Sequence, residues 1–164
     1  MSGPLLTVDD LRVTFPTRTG EVQAVRGVSF TLGRERLGIV GESGSGKSQT
    51  GRAIMGLTPG HAKITASKLE FDGIDLLKAT PKQRRDLRGK RIGMILQDPK
   101  YSLNPVMTIG KQIIETLLTH EKLSRSDART RALEMLEAVQ IRDPERVFGL
   151  YPNEVSGGMG QRVM

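Results

Sequence analysis

The sequence predicts an α/β fold built around a phosphate-binding loop, and three observations predict it. The stretch Gly41-Glu42-Ser43-Gly44-Ser45-Gly46-Lys47-Ser48 fits the pattern G-x-x-x-x-G-K-[ST] and directly follows the apolar run Leu37-Gly38-Ile39-Val40. The first third of the chain alternates apolar and polar residues, the period of half-buried strands in an antiparallel sheet. Further on, Ile92-Gly93-Met94-Ile95-Leu96 is a continuous apolar run between polar neighbours, as expected of a strand buried on both faces of a parallel sheet.

In chain order, Leu11, Val13 and Phe15 alternate with Arg12 and Thr14, and the segment from Pro16 to Gly20 is read as a turn. Val22, Val25, Val28, Phe30 and Leu32 then resume the strand pattern. Gly33-Arg34-Glu35-Arg36 turns the chain into the run that meets the loop, and Lys47 to Met55 should be helical, stopping near Gly56 with Pro59-Gly60 beyond. Residues 68–71 and 74–77 flank Asp72-Gly73, a strong hairpin signal that adds to the first antiparallel sheet. Thr80-Pro81 starts a short helix through Leu87, with a cap residue followed by proline in the first turn. After the run ending at Leu96 the pattern turns helical: Thr108 caps a helix through about Leu118, and Ser124-x-x-Asp127 resembles a capping box. Ala128, Ala132, Met135, Leu136 and Val139 form a stripe at helical spacing that reads as core packing.

The loop carries its own chemistry. Small residues let successive backbone N–H groups turn toward phosphate oxygens, and the loop feeds a helix whose N-terminus bears a partial positive charge. Lys47 is placed to reach the β- and γ-phosphates of a nucleoside triphosphate, and the Ser48 hydroxyl to ligate Mg²⁺. Composition narrows the class. At 164 residues, 37% hydrophobic and 26% charged, the chain has the makeup of one globular domain, or of one with a small insert. No apolar run approaches the ~20 residues that cross a bilayer. The start Met1-Ser2-Gly3-Pro4 lacks the basic and apolar segments of a signal peptide, so a cytoplasmic protein is expected. Zero cysteines exclude disulfides and thiolate metal sites. A net charge of +7 favours anionic partners. The densest basic run, Lys82, Arg84, Arg85, Arg88, Lys90 and Arg91, has no interleaved aromatic and reads as a solvated face, with lipid headgroups or nucleic acid as alternatives.

Three further segments carry a family resemblance. Gln97 ends the buried run in Leu96-Gln97-Asp98-Pro99, and Ser102-Leu103-Asn104-Pro105 comes just after. The last segment reads Tyr151-Pro152-Asn153-Glu154-Val155-Ser156-Gly157-Gly158-Met159-Gly160-Gln161-Arg162. With the phosphate loop, in this order and at these separations, they resemble the nucleotide-binding subunit of ABC transporters, closest in wording to importers of di- and oligopeptides, over essentially the whole chain. The resemblance implies a P-loop NTPase core of the ABC ATPase type, with an antiparallel β-subdomain from residues 1–36 and 64–77. Residues 37–56 and 90–97 would form the P-loop core, and residues 98–155 a helical subdomain.

By position, the resemblance places Phe15 where an aromatic stacks on adenine. Gly41, Glu42, Ser43, Gly44, Ser45, Gly46, Lys47, Ser48 and Gln49 form the nucleotide cradle, and Ser48 and Gln97 serve Mg²⁺ or the attacking water. Ser156, Gly157 and Gly158 match the signature that binds the γ-phosphate held by an opposite subunit. ATP and Mg²⁺ are the implied cofactors. The implied partners are a second ABC ATPase subunit in a head-to-tail dimer, transmembrane permease subunits on which the helical insert docks and, indirectly, an extracytoplasmic peptide-binding protein. No nucleic acid is expected, and the site of action is the cytoplasmic face of the membrane.

The sequence also departs from the family. It stops at Met164, just after the signature, so the family's magnesium-organising Asp, adjacent Glu base and later His have no counterparts to assign; His61 and His120 read as surface residues. The expected species is truncated after the signature, lacks the C-terminal part of the sheet, binds ATP poorly, hydrolyses it negligibly and is prone to aggregate. Arg34 stands in a turn where the family usually has Gly, which strains the turn if a positive φ is needed. Gly160 replaces a commonly basic residue, weakening the signature helix by ~1 kcal/mol relative to Ala. Two other functions remain open at this level: a non-catalytic nucleotide-binding module, and a soluble ABC protein acting on nucleic acid.

Overall fold

The computed structural model describes residues 3–95 and 102–164, which divide into two compact units, Met1–Arg88 and Gly89–Met164. Gln97, the expected magnesium and water residue, lies outside the described residues.

The first unit is a five-stranded antiparallel sheet with two helices. Strands β1 (Leu6–Thr17) and β2 (Gly20–Leu32) form a long hairpin, β4 (Lys68–Phe71) and β5 (Ile74–Asp75) extend it beyond β1, and β3 (Lys63–Thr65) also pairs with β1. Leu6, Val8, Leu11 and Val13 of β1 are buried together with Val25, Leu69 and Phe71, so the alternation does supply the core face. The expected turn at Pro16 is shorter than anticipated: Pro16 pairs with Glu21 within the ladder, and only Arg18 and Thr19 separate the strands. Proline is tolerated there because the hairpin end demands little of its missing N–H. Farther along, the hairpin is bulged: Asp10 of β1 has φ 48° and Gly27 of β2 φ 97°, and the pairing slips between Val8 and Leu11. The Ser29 hydroxyl accepts from the Asp10 N–H at 2.9 Å, and Arg12 donates to Asp10 at 2.8 Å, holding the Asp10 carboxyl below its ordinary range. Asp72 and Gly73, at φ 47° and 79°, make the β4–β5 turn, but β5 stops at Asp75, short of the expected 77.

Helix α1 (Lys47–Met55) comes directly after the phosphate loop, and α2 (Pro81–Leu87) opens with a complete capping box between Thr80 and Gln83. The basic run beside α2 departs from the expected solvated face. Arg84 donates to the carbonyls of Ala79 and Leu76, and Arg88 donates to Met55 O at 2.8 Å and Gly56 O at 2.6 Å, covering orphan carbonyls at the end of α1. Lys82, Arg85 and Lys90 are solvated. Arg34 does not adopt a positive φ, so the turn strain expected there does not arise.

The two expected parallel strands are a further correction. Residues 37–40 belong to no strand ladder, with Val40 96% exposed, and no ladder extends through residues 92–95, where Ile95 is 82% exposed. An apolar run becomes a strand only where a neighbour pairs with its backbone along its length; here Ile92 makes an isolated bridge, its carbonyl accepting from the Gly89 N–H at 2.9 Å, and neither run is assigned to a ladder.

The second unit is helical: α3 (Ile109–His120), α4 (Arg125–Ala138), α5 (Pro144–Gly149), a 3₁₀ turn (Pro152–Glu154) and α6 (Gly157–Val163). Ile109, Leu136, Ile141 and Val147 form one buried cluster, and Leu117, Ala128 and Ala132 another. Thr108 precedes α3 without a side-chain cap bond, and α3 runs to His120 rather than Leu118. Ser124 caps α4 by accepting from the Asp127 N–H at 3.1 Å while its hydroxyl donates to the Asp127 carboxylate at 2.7 Å. The helical stripe splits, because Ala128, Ala132 and Leu136 are core whereas Met135 and Val139 are exposed. Those two line a shallow groove of about 360 Å³ with Ile113, Val163 and Met164.

Candidate functional site

The phosphate loop is shaped by glycines where backbone geometry requires them. Gly44 and Gly46 adopt φ 84° and 95°, and a Cβ on Gly46 would lie 2.4 Å from Ala24 O, so this residue lets the loop press against the backbone of β2. Gly46 is the N-cap of α1 and offers no side-chain cap, which leaves first-turn N–H groups for an outside acceptor. Lys47 folds back over the loop, its Nζ donating to Gly41 O and Glu42 O at 2.7 Å each and to Ser45 Oγ at 3.3 Å. A Cβ on Gly41 would meet Ser45 Oγ at 2.7 Å, so the loop closes tightly on itself. Beside it lies a cleft of about 400 Å³ walled by Gln23, Val25, Arg26 and Gly27 of β2 and by Gly44 and Ser45.

These features fit an oligophosphate. The ammonium is held over the loop by carbonyls that anionic oxygens can replace, and the positive-φ glycines let the loop pass close to Ala24. Glu42, Ser43 and Ser48 are exposed, with Ser48 in the first turn of α1 where its hydroxyl can reach a cation. Gln49 is half-buried, and its Oε1 is sequestered without a hydrogen-bond partner among the described residues.

Phe15 is half-buried near the end of β1, opposite Val22 of β2. Its ring meets His61 edge-on, with centroids 5.9 Å apart and planes inclined at 60°. His61, read from the sequence as a plain surface residue, is exposed but has this aromatic partner. In the second unit, Ser156 caps α6, its Oγ accepting from the Met159 N–H at 3.3 Å, and Gly157 and Gly158 are exposed with open space where a Cβ would stand. Arg162 on the same helix donates to Gln140 O at 2.8 Å beyond the end of α4. Sequence reasoning did not find the β2 wall or His61. Both are brought into place by the strand register, in which Thr14 pairs with Gln23 on one side and Lys63 on the other, and no local sequence signal carries that register.

Among the described residues, no helix is long and apolar enough to cross a membrane. The oligopeptide transport ATP-binding protein OppD of Bacillus subtilis (strain 168) is 52% identical over 164 residues, an alignment covering 98% of this chain and 45% of that protein. The dipeptide transport ATP-binding protein DppD of the same strain is 48% identical, with 98% and 48% covered. OppD of Escherichia coli (strain K12) is 47% identical, with 98% and 48% covered. The chain thus spans about half the length of the curated relatives it matches. In solved structures, the dimeric form of MJ0796, a bacterial ABC transporter cassette, superposes with a TM-score of 0.74 at 25% identity, covering 96% of this chain and 66% of that one. A dimeric post-hydrolysis form of the same cassette, bound to ADP and Pi, gives a TM-score of 0.72. The family model described as ABC transporter matches residues 25–164, and with the phosphate loop and cassette fold it establishes that this chain belongs to the ABC transporter family.

Proposed function

We propose that this chain is the ATP-binding portion of a peptide importer's ATPase subunit, and that it holds Mg-ATP through residues 41–49. The observation that carries the proposal is the loop itself: glycines at positive φ, an uncapped helix start and an ammonium poised over carbonyls. In this reading the backbone N–H groups of the loop and the first turn of α1 grip the α- and β-phosphates. Lys47 swings from Gly41 O and Glu42 O to the β- and γ-phosphates, and Ser48 offers its hydroxyl to Mg²⁺. The cation, when bound, neutralises charge on the phosphate tail. Gln49 and Gln97 are assigned to the same nucleotide, Phe15 stacks on its base, and Gln97 also serves the metal or water.

Ser156, Gly157 and Gly158 act in trans, on the γ-phosphate of a second ABC subunit, so that ATP joins the two subunits head to tail. The helical second unit docks on transmembrane permease subunits at the cytoplasmic face of the membrane, and a peptide-binding protein delivers cargo from the other side. The relatives named as oligopeptide and dipeptide transport proteins support this direction of substrate choice. The nucleic-acid reading has less support, because Arg84 and Arg88 spend their guanidinium donors on internal carbonyls.

Replacing Lys47 with Ala tests the central assignment. Titration with Mg-ATP should show binding by the parent chain and none by the variant, whereas equal affinity would sink the proposal.

A further inference from the structure

We infer that His61 is a positioning residue of the nucleotide site, fixing the ring of Phe15 so that a purine base can stack on it. The inference rests on the reading that Phe15 takes the base, and it assigns a role to a residue outside the family motifs.

The geometry arises from the strand register. Lys63 of β3 pairs with Thr14 of β1, so the chain just before β3 passes alongside Phe15. That chain is a turn closed by the Ala62 N–H donating to Pro59 O at 2.9 Å, which holds His61 at the end of the ladder. Phe15 therefore sits between Val22 on β2 and the imidazole of His61 on the β3 side. An aromatic edge at 5.9 Å and 60° restrains the phenyl ring without covering both of its faces. Phe15 also lies next along β1 from Thr14, whose partner Gln23 begins the wall of the cleft beside Gly44 and Ser45. A nucleotide with phosphates on the loop can run along β2 and bring its base to this corner. Without His61 the half-buried Phe15 ring regains freedom to rotate, and the base must order it on binding at an entropic cost.

The test compares Mg-ATP with inorganic tripolyphosphate, which has the phosphates but no base, on the full chain and three variants. His61→Ala should weaken Mg-ATP about three- to tenfold, the worth of one aromatic pair, and leave tripolyphosphate unchanged. His61→Phe, which restores an aromatic edge, should recover the parent affinity to within about twofold. Phe15→Ala should weaken Mg-ATP at least as much as His61→Ala, again sparing tripolyphosphate. Unchanged Mg-ATP affinity in His61→Ala, equal weakening of both ligands, or failure of His61→Phe to rescue would overturn the role of His61 while leaving Phe15 as the base platform. Unchanged Mg-ATP affinity in Phe15→Ala would overturn the base assignment itself, and the role of His61 with it.

Discussion

Two helix starts in this molecule carry family motifs, and they are built in opposite ways. Helix α1 begins at a glycine with φ 95° and no side-chain cap, its geometry forced by close approach to Ala24 O. Helix α6 begins at a serine in extended conformation whose hydroxyl already takes the Met159 N–H. A start without an internal cap depends on an outside acceptor to satisfy its amides, whereas a self-capped start is stable alone and presents only what remains. The first suits a loop that wraps its ligand; the second suits a surface that meets a ligand already held elsewhere.

The largest expected effect breaks the first design. Gly46→Ala places a methyl 2.4 Å from Ala24 O at a φ of 95°, so it should cost ~1–3 kcal/mol in chemical denaturation and at least about tenfold in Mg-ATP affinity. A variant with parent stability and affinity would show that the loop is not pinned to β2. Next, Arg88→Ala strips the carbonyls of Met55 and Gly56 of charged donors and should cost ~1.5–3 kcal/mol, seen as a lower denaturant midpoint with fraying at the end of α1. The second design should be cheaper to damage. Ser156→Ala is expected to cost ~1 kcal/mol, and Ser156→Gly only a few tenths, by thermal or denaturant unfolding. Equal losses for the two substitutions would argue that the hydroxyl does not cap α6.

The smallest effect concerns the Asp10–Arg12 pair of β1. Asp10 is held below its ordinary value of 3.8 by the hydrogen bond and charge of Arg12. The stabilising contact is therefore fully present above the unfolded value and is lost as pH falls through the lower folded one. Carboxyl carbon shifts tracked by NMR should give an Asp10 midpoint below 3.8 that returns toward it in Arg12→Ala. An unshifted midpoint in the parent would remove the contact from solution.

Local signals were legible in the sequence and non-local ones were not. The loop, the Asp72-Gly73 turn, the Thr80-Pro81 helix start and the Ser124 cap are written in neighbouring residues, and each appears where its chemistry predicts. The apolar runs at 37–40 and 92–96 read as buried strands because their composition is right, but a strand also needs partners along its length, which composition does not supply, and residues 37–40 and 92–95 form no ladder. Arg84 and Arg88 looked like solvent-facing charge because their acceptors, at Leu76, Ala79, Met55 and Gly56, are brought to them only by the fold. Met135 shares a stripe with Ala132 and Leu136, yet a stripe has edges, and nothing in its periodicity says which residue falls on the rim.

Residues 37–40, outside any ladder, lead directly into the phosphate loop. Amides in the β1–β2 ladder open only with the sheet, whereas those of 37–40 have no ladder to open and should exchange their hydrogens with solvent almost as a free peptide does. The loop is thus joined upstream to a segment outside any ladder and downstream to a helix clamped at its far end by Arg88. Any slowing of deuterium uptake at 37–40 on adding nucleotide would report that ligand order has spread backward along the chain.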